Sequence, residues 1–211
     1  MNIILLGPQG SGKGTQARIL CEKFGFSYFE SGAYLRRIAE GNSELKEFLS
    51  TGKLVPDSEM TSYLSAYFDK ENLYDNIIFD GFPRTVEQYN FWKNWLANRK
   101  MKLDLVIAIQ INEEETIKRL SARRMDPKTS EIYNLITDPP PAGFDESKLV
   151  HRDDDKPEAI KVRLDLYKKR TEPLILELKK DTKVVELDGE RPIAQIAEDL
   201  AKLVEGMKNG N

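Results

Sequence analysis

The sequence contains almost no cysteine and almost no histidine, which excludes several kinds of site. Cys21 is the only cysteine among 211 residues, so neither an internal disulfide framework nor a four-cysteine zinc site can form. We interpret it as a packed thiol in a helical segment. His151 is the only histidine, and its polar neighbours include no Ser or Cys nucleophile. We therefore assign it no catalytic role.

An excess of basic residues and a long apolar run are also missing. The formal net charge of -3 argues against non-specific nucleic-acid binding. No apolar run approaches the roughly 18 residues of a membrane span. The first apolar segment reaches a glycine-rich loop by residue 7, which leaves no room for a signal peptide. We therefore expect a cytoplasmic protein without nucleic-acid or membrane partners.

The glycine-rich loop itself predicts nucleotide binding. Residues 2–6 are predicted to form a strand, and Gly7 to Thr15 follow directly. Glycines let successive backbone N–H groups turn towards a phosphate at a helix N-terminus. Lys13 adds a cation for the outer phosphates, and the Thr15 hydroxyl can lie near Mg2+. Gly14 occupies the position where the strict motif has Ser or Thr, which favours small-molecule kinases.

Short apolar runs alternate with helical patterns along the whole chain, which predicts an α/β fold. Strands are expected at residues 2–6, 27–29, 76–79, 103–111 and 183–187. This alternation predicts a five-stranded parallel sheet flanked by helices on both faces. The carboxyl ends of its strands meet at one edge, where ligands collect. Pro157 opens a late helix, and Pro173 is expected to kink or end it.

Two stretches interrupt the alternation and are predicted to be mobile lid insertions. The first covers residues 30–55 and the second covers residues 122–155. The run from Asp138 to Phe144 includes three consecutive prolines, so we expect a loop between short hairpin strands. The remaining segments, 1–29, 56–121 and 156–211, form the predicted core domain.

A second group of candidate residues follows the third predicted strand. Asp80 lies where a Walker-B acid would orient Mg2+ through water. Gly81 lets a ligand approach the backbone, and Pro83 fixes the turn. Arg84 can form a bidentate contact with a phosphate, which a lysine cannot. Taken alone, Asp80 fits equally well as a cap for a helix that starts near Thr85.

Four arginines border the second insertion. Arg119 and Arg123 are four residues apart in a predicted helix, so we expect both on one face. Arg152 and Arg163 flank an acidic run. Such a set of cations suits phosphoryl transfer, which spreads negative charge over the phosphate oxygens. The alternative is a set of solvated arginines, each paired with a nearby carboxylate.

The acidic run contributes two further candidates, Asp154 and Asp155. They can hold Arg123 or Arg152 in an aimed position, or they can favour the N-terminus of the next helix. The two roles are compatible.

Taken together, the ordered motifs resemble the adenylate kinase family of nucleoside monophosphate kinases over essentially the whole chain. The matching segments are Gly7 to Gln16, Glu30 to Gly32 with Arg36, Thr51 to Asp57, Asp80 to Thr85 with Gln88, Arg119 with Arg123 and Arg124, Arg152 with Asp154 and Asp155, Arg163, and Asp188 with Gly189. The resemblance implies a P-loop NTPase fold and reversible phosphoryl transfer from Mg-ATP to AMP, giving two ADP.

The resemblance also implies which residues bind each nucleotide. The ATP side would comprise Gly10, Ser11, Gly12, Lys13, Gly14, Thr15, Arg119, Arg123, Ile132, Tyr133 and Arg191. The AMP side would comprise Ser31, Arg36, Lys53, Leu54, Val55, Gly81, Phe82, Pro83, Arg84, Gln88, Arg152 and Arg163. The catalytic set would be Lys13, Arg84, Arg123, Arg152, Arg163, Asp154 and Asp155. Mg2+ would approach Thr15 and Asp80 through water, with no direct protein ligand.

Several residues depart from the family's common pattern. Ser31 occupies a position where threonine is common, which leaves the choice of acceptor base open. Asp126 and Thr129 occupy positions where zinc-binding relatives have cysteines, so we expect no structural zinc. Two alternatives to an adenylate kinase stay open, a kinase for UMP or CMP and a P-loop regulatory NTPase. For an adenylate kinase we expect a monomer.

Overall fold

Seven strands are present in the computed structural model, which describes residues 1–210. They are β1 Ile3–Leu6, β2 Ser27–Glu30, β3 Ile77–Asp80, β4 Leu105–Gln110, β5 Arg123–Met125, β6 Ile132–Asn134 and β7 Lys183–Asp188. Five of them form a parallel sheet in the order β2-β3-β1-β4-β7. Strands β5 and β6 form a separate antiparallel hairpin.

Nine α-helices surround the sheet within residues 1–210. They are α1 Lys13–Phe24, α2 Ser31–Ile38, α3 Ser43–Thr51, α4 Asp57–Glu71, α5 Val86–Asn98, α6 Glu113–Ser121, α7 Pro157–Leu166, α8 Glu172–Asp181 and α9 Ile193–Lys208. Short 3-10 turns occupy Glu146–Lys148 and Asp153–Asp155, and a π-helical segment, Tyr167–Thr171, joins α7 to α8. No helix in this part of the chain is both long and apolar enough to cross a membrane.

The five-stranded parallel sheet confirms the predicted fold class. Every residue of β1 is buried, and its neighbours β3 and β4 are buried and apolar up to their last residues, Asp80 and Gln110. Ile3 pairs in register with Ile78 on one side and with Leu105 on the other. Because both faces are covered by helices, these strands are continuous apolar runs. In these three strands, polar side chains are therefore confined to the carboxyl ends, as Asp80 is in β3.

Aromatic packing fills one face of the sheet and aliphatic packing fills the other. Phe79 packs edge-to-face against Phe68 and Trp92, with ring centroids 5.5 and 4.6 Å apart. On the opposite face, Leu20 of α1 and Leu200 of α9 are fully buried in a second apolar cluster. The two clusters fix the sheet on both sides and hold its carboxyl edge in place.

Local capping explains where two functionally important helices begin. The Thr85 hydroxyl accepts a hydrogen bond from the Gln88 N–H at 3.1 Å, which starts α5. The Asn112 side chain accepts one from the Glu115 N–H at 2.8 Å, which starts α6. Each cap satisfies a backbone donor that has no partner inside the helix. The expected helix start near Thr85 is confirmed.

The prediction that Arg119 and Arg123 share one helix face is wrong. Helix α6 ends at Ser121, and Arg123 is the first residue of β5. The hairpin supplies partners for the helix end: the Asn134 side chain donates to the Arg119 carbonyl at 3.0 Å, and the Leu135 N–H donates to the Ala122 carbonyl at 3.0 Å. Carbonyls at a helix end need such partners, so the chain leaves the helix here.

The proline-rich run is a loop, as predicted, but it does not connect the two strands of the hairpin. The hairpin turn is formed by residues 126–131, whereas the prolines follow β6. The run lies between Asp138, which bridges to Asn134, and Val150, which bridges to Met125. A proline cannot donate to a strand ladder, so this segment stays irregular. Pro173, by contrast, lies in the first turn of α8, immediately after the π-helical segment.

Candidate active site

The loops at the carboxyl edge of the sheet enclose a cleft of about 710 Å³. Most of the predicted site residues line it. They are Gly10, Ser11, Gly12, Lys13, Gly14, Thr15, Arg36, Leu54, Asp80, Gly81, Arg84, Arg119, Arg123, Ile132, Tyr133, Arg152, Arg163 and Arg191. Segments far apart in the sequence thus contribute cations to one enclosed space.

The loop between β1 and α1 forms the floor of the cleft and depends on glycine. Gly7 has φ +146°, and a Cβ atom there would lie only 2.2 Å from the Ile109 carbonyl oxygen. Lys13 folds back over the loop, because its Nζ donates to the Gly7 and Pro8 carbonyls at 2.9 and 2.8 Å. Burial lowers the pKa of Lys13 to about 8, although the nearby Asp80 carboxylate opposes this shift. A bound phosphate would favour its charged form.

Asp80 lies buried at the end of β3, against the glycine-rich loop. Burial raises the pKa of its carboxyl, and Lys13 opposes that shift. Its Oδ2 accepts a hydrogen bond from the Tyr28 hydroxyl at 2.9 Å. A Cβ atom added at Gly14 would lie 3.7 Å from the same oxygen. With the Thr15 hydroxyl in the first turn of α1, the site offers the oxygen donors that suit Mg2+.

Three arginines meet two adjacent carboxylates where the second insertion joins the core. Arg123 forms a bidentate pair with the buried Asp155, with Nε 2.7 Å from Oδ2. Arg152 forms a bidentate pair with Asp154 at 2.9 and 2.6 Å. Arg163 lies between them, 2.9 Å from Asp154 Oδ2 and 3.4 Å from Asp155 Oδ1. The alternative of solvated arginines is wrong for these three, because their side chains are largely buried, although the carboxylate partners that it expected are present.

The charged groups in this cluster shift one another's pKa values. Burial alone would raise the pKa of Asp154, but the charges of Arg163 and Arg152 outweigh this effect and lower the pKa to about 2. Burial lowers the pKa of Arg163 to about 9, so it remains protonated at neutral pH. Burial also lowers the pKa of Arg152. Three buried guanidinium groups beside two carboxylates leave an excess of positive charge that suits phosphate groups.

Arg84 and Arg36 form a second set of cations in the cleft. Arg84 Nε donates to the Gly81 carbonyl at 2.7 Å, and Arg36 forms an ion pair with Glu30 at 3.0 Å. Gly81 has φ +76°, and a Cβ atom there would lie 2.7 Å from Ser31 Oγ and 2.8 Å from Arg84 Nη2. Only glycine therefore lets the guanidinium lie against the turn after β3.

The cleft has the geometry of a nucleotide-binding enzyme, and comparison with known proteins identifies its family. The family model for adenylate kinase matches residues 5–183. The chain belongs to the adenylate kinase family.

Curated adenylate kinases from several organisms are similar to it over nearly the whole chain. That of Methanothrix thermoacetophila is 39% identical over 212 residues, with 97% of this chain and 98% of the relative covered. That of Thermococcus onnurineus is 36% identical over 217 residues, covering 99% and 96% respectively. That of Chloroherpeton thalassium is 36% identical over 213 residues, covering 97% and 98%.

Some residues predicted for the site do not line the cleft of this adenylate kinase family member. They are Ser31, Lys53, Val55, Phe82, Pro83, Gln88, Asp154 and Asp155. Ser31 donates its hydroxyl to the Gly81 carbonyl at 2.7 Å, so it supports the turn that carries Arg84. Gln88 is buried. Asp154 and Asp155 hold the arginines that face the cleft.

The other residues predicted for the ATP side include Arg119, Arg191 and Tyr133, which also line the cleft. Arg119 is fixed by Glu115 at 2.7 Å and donates to the Gly10 carbonyl at 3.3 Å. Arg191 pairs with Asp199 at 2.8 Å. Tyr133, on β6, packs against the Phe144 ring at a centroid distance of 5.5 Å.

Sequence reasoning missed the cleft residue Tyr28 on β2, and it named Glu30 only within a matching segment, without a role. Both line the cleft, and Glu30 lies beside Asp80 in the parallel register. Residues two apart in a strand share a face, and the face of Glu30 includes Tyr28. That spacing, next to a strand end already predicted to carry ligands, could have identified them.

Within residues 1–210, no group of three His, Cys, Asp or Glu side chains is arranged to hold a metal ion directly. Asp126, at one of the positions where zinc-binding relatives carry cysteine, instead closes the hairpin turn. Its Oδ1 accepts a hydrogen bond from the Lys128 N–H at 2.8 Å.

Proposed function

We propose that this protein binds the ATP phosphates on the glycine-rich loop and AMP on the wall formed by Arg84 and Arg36. The reaction follows from the family: the chain is a nucleoside monophosphate kinase that transfers a phosphoryl group from ATP to AMP, giving two ADP. One observation carries the residue assignment. Lys13, Arg36, Arg84, Arg123, Arg152 and Arg163 all line one cleft, and two phosphate chains rather than one would account for so many cations.

In this proposal the arginines perform most of the chemistry. The transferred phosphoryl group spreads negative charge over its oxygens, so fixed cations lower the barrier. Lys13 and Arg123 would contact that group, and Arg152 and Arg163 would bridge both phosphate chains. The attacking AMP oxygen is already anionic, so no side chain is needed as a strong base. Asp154 and Asp155 would keep the guanidinium groups aimed.

Mg2+ would be carried by the nucleotide and held through water near Asp80 and Thr15. When bound, the ion would offset the charge of the ATP phosphates. The buried carboxylate and the Tyr28 hydroxyl that donates to it support this position.

The two insertions, residues 30–55 and 122–155, are proposed to close over the nucleotides. Closure would exclude water, so that transfer to AMP outcompetes hydrolysis. We further propose that the protein acts as a cytoplasmic monomer, without nucleic-acid or membrane partners and without structural zinc. Elemental analysis of purified protein tests the last point, and one zinc per chain would contradict it.

The experiment that tests the substrate assignment measures ADP formation from Mg-ATP with one acceptor at a time. AMP, dAMP, CMP, UMP and GMP are compared, beside a hydrolysis control without acceptor. We expect a strong preference for AMP. A preference for UMP or CMP would overturn the acceptor assignment, and hydrolysis alone would favour a regulatory NTPase.

A further inference from the structure

The buried Asp80 carboxylate has a single hydrogen-bond partner, the Tyr28 hydroxyl. Only 7% of Asp80 is exposed, and the hydroxyl donates to its Oδ2 at 2.9 Å. Within residues 1–210, the carboxylate accepts no other hydrogen bond and takes part in no ion pair. The nearby Lys13 ammonium donates to loop carbonyls instead. A buried carboxylate is costly to ionise without close partners, so this one has room for a cationic ligand.

The second oxygen of Asp80, Oδ1, is available to such a ligand. Within the same part of the chain it has no partner, it is not closed off from solvent, and Asp80 lines the cleft. The carboxyl group of an aspartate turns easily about its Cβ–Cγ bond, because that torsion has broad minima. The hydrogen bond from Tyr28 removes this freedom and thereby determines where the free oxygen lies.

Tyr28 is itself fixed beside the glycine-rich loop. Its ring packs against the apolar cluster that includes Leu20 and Leu200. A Cβ atom added at Gly14 would lie 3.3 Å from the Tyr28 hydroxyl and 3.7 Å from Asp80 Oδ2. The Ser or Thr of the strict motif would therefore crowd this hydrogen bond, whereas glycine leaves room for it. The pair lies next to the first turn of α1, where Mg2+ is proposed to lie.

We propose that Tyr28 is a positioning residue for Mg2+, which acts by holding the Asp80 carboxylate with its free oxygen towards the ion's water shell. The inference rests on the proposed function, because ATP brings the ion. Mg2+ usually keeps several of its waters, so a carboxylate that binds it through water must point in the right direction. Side chains that orient such groups typically contribute about 10- to 100-fold to metal affinity.

Tyr28→Phe tests the inference, since it removes the hydroxyl and keeps the packed ring. We expect the free Mg2+ concentration that gives half-maximal ADP formation from ATP and AMP to rise about tenfold. A second measurement needs no turnover. With protein in excess over ATP and no AMP present, electron paramagnetic resonance of free Mn2+ gives the affinity of the protein–ATP complex for the ion. The dissociation constant for Mn2+ should also rise about tenfold.

A matched control separates this role from the general loss of a hydrogen bond. The Tyr89 hydroxyl donates to Asp181 Oδ2, also at 2.9 Å, and neither residue lines the cleft. Tyr89→Phe therefore removes an equivalent contact elsewhere, and both metal measurements should stay within about twofold of the wild type. Circular dichroism and thermal unfolding check that each variant is folded.

A double-mutant cycle tests whether Tyr28 acts through Asp80. Asp80→Asn removes the carboxylate and should itself weaken Mn2+ binding. In that background, adding Tyr28→Phe should change the dissociation constant for Mn2+ by less than about twofold, because the group that Tyr28 positions is already gone. A further tenfold loss would show that Tyr28 acts independently of Asp80 and would overturn the inference.

The remaining outcomes are equally distinct. A folded Tyr28→Phe variant whose Mg2+ and Mn2+ dependence matches the wild type would show that the hydroxyl only supports the fold, which overturns the inference while the proposed function stands. A wild-type protein that binds Mn2+ with ATP but forms no ADP from AMP would overturn the proposed function. The Mn2+ affinities would then still decide whether Tyr28 positions Asp80 for the metal.

Discussion

Arg123 and Asp155 form a bidentate ion pair in which the carboxylate is completely buried and the guanidinium faces the cleft. Burial disfavours the charge on Arg123, but its hydrogen bonds to Asp155 outweigh this and raise the pKa of the guanidinium. The pair joins the start of β5 to the turn before α7, so it holds the two ends of the segment 122–155 together. Asp155, which does not line the cleft, thus orients Arg123, which does.

Replacing this carboxylate should damage both stability and activity. Asp155→Asn leaves the buried Arg123 without its anionic partner, so we expect the free energy of unfolding to fall by about 3 kcal/mol. A misaimed Arg123 should lower kcat by about 100-fold. Thermal unfolding and initial rates measure the two effects. Asp153→Asn is the matched control, because Asp153 is exposed and pairs only with Lys156; equal loss in both variants would contradict a role for the buried pair.

Arg84→Ala tests the acceptor side. The side chain lines the cleft beside Gly81 and, in the proposed function, contacts only the AMP phosphate. Loss of a charge-assisted hydrogen bond should lower kcat/KM for AMP by about 10- to 100-fold, with the dissociation constant for ATP changed less than about twofold. Initial-rate kinetics and calorimetric ATP titration provide these values. Arg37→Ala, at an exposed neighbouring helix position, is the control. Unchanged AMP kinetics would remove Arg84 from the site.

Lys13 should make ATP binding depend on pH. Its pKa is lowered from 10.5 to about 8 by burial, so part of the free protein loses this cation as pH rises through 8. A bound phosphate restores the charged form, and ATP binding near pH 8.5 should therefore take up a proton. Calorimetric titration in two buffers of different ionisation enthalpy measures that uptake. Affinity that stays flat to pH 9.5, without proton uptake, would show that Lys13 remains fully charged.

Asp154 should contribute to stability that is lost in acid. Its pKa is about 2 in the folded chain, below the ordinary value of 3.8. The native state therefore binds fewer protons than the unfolded state between these values, and the stabilisation is present above pH 4 and disappears as pH falls towards 2. The size is about 2 kcal/mol. Urea unfolding of wild type and Asp154→Asn at pH 6 and pH 2.5 tests this, since the gap between the two should narrow in acid; a constant gap would contradict it.

Much of the fold followed from local sequence patterns. Apolar runs such as Ile3 to Leu6, separated by helical segments, are sufficient for a parallel sheet because strands buried on both faces must be continuously apolar. The glycine-rich loop could also be predicted from the sequence, since only a glycine at position 7 leaves room for the Ile109 carbonyl. Asp80 and Arg84 were identifiable because they directly follow a buried strand.

Prediction from the sequence pattern was wrong where contacts with distant residues override a local helix preference. The spacing of Arg119 and Arg123 fits one helix, but Asn134 from the hairpin satisfies the helix end and redirects the chain. No sequence rule links these segments, because the competing hydrogen bond forms only after the hairpin packs against the helix.

The sequence by itself therefore determined the class of fold, the phosphate-binding loop and the types of side chain at the site. Only the tertiary structure decided how those side chains are paired: Arg123 with Asp155, Asp80 with Tyr28, and Gln88 with Asp57. The reason is physical. Backbone patterns depend on neighbours a few residues away, whereas the orientation of a buried charge or amide depends on the partners that folding brings to it.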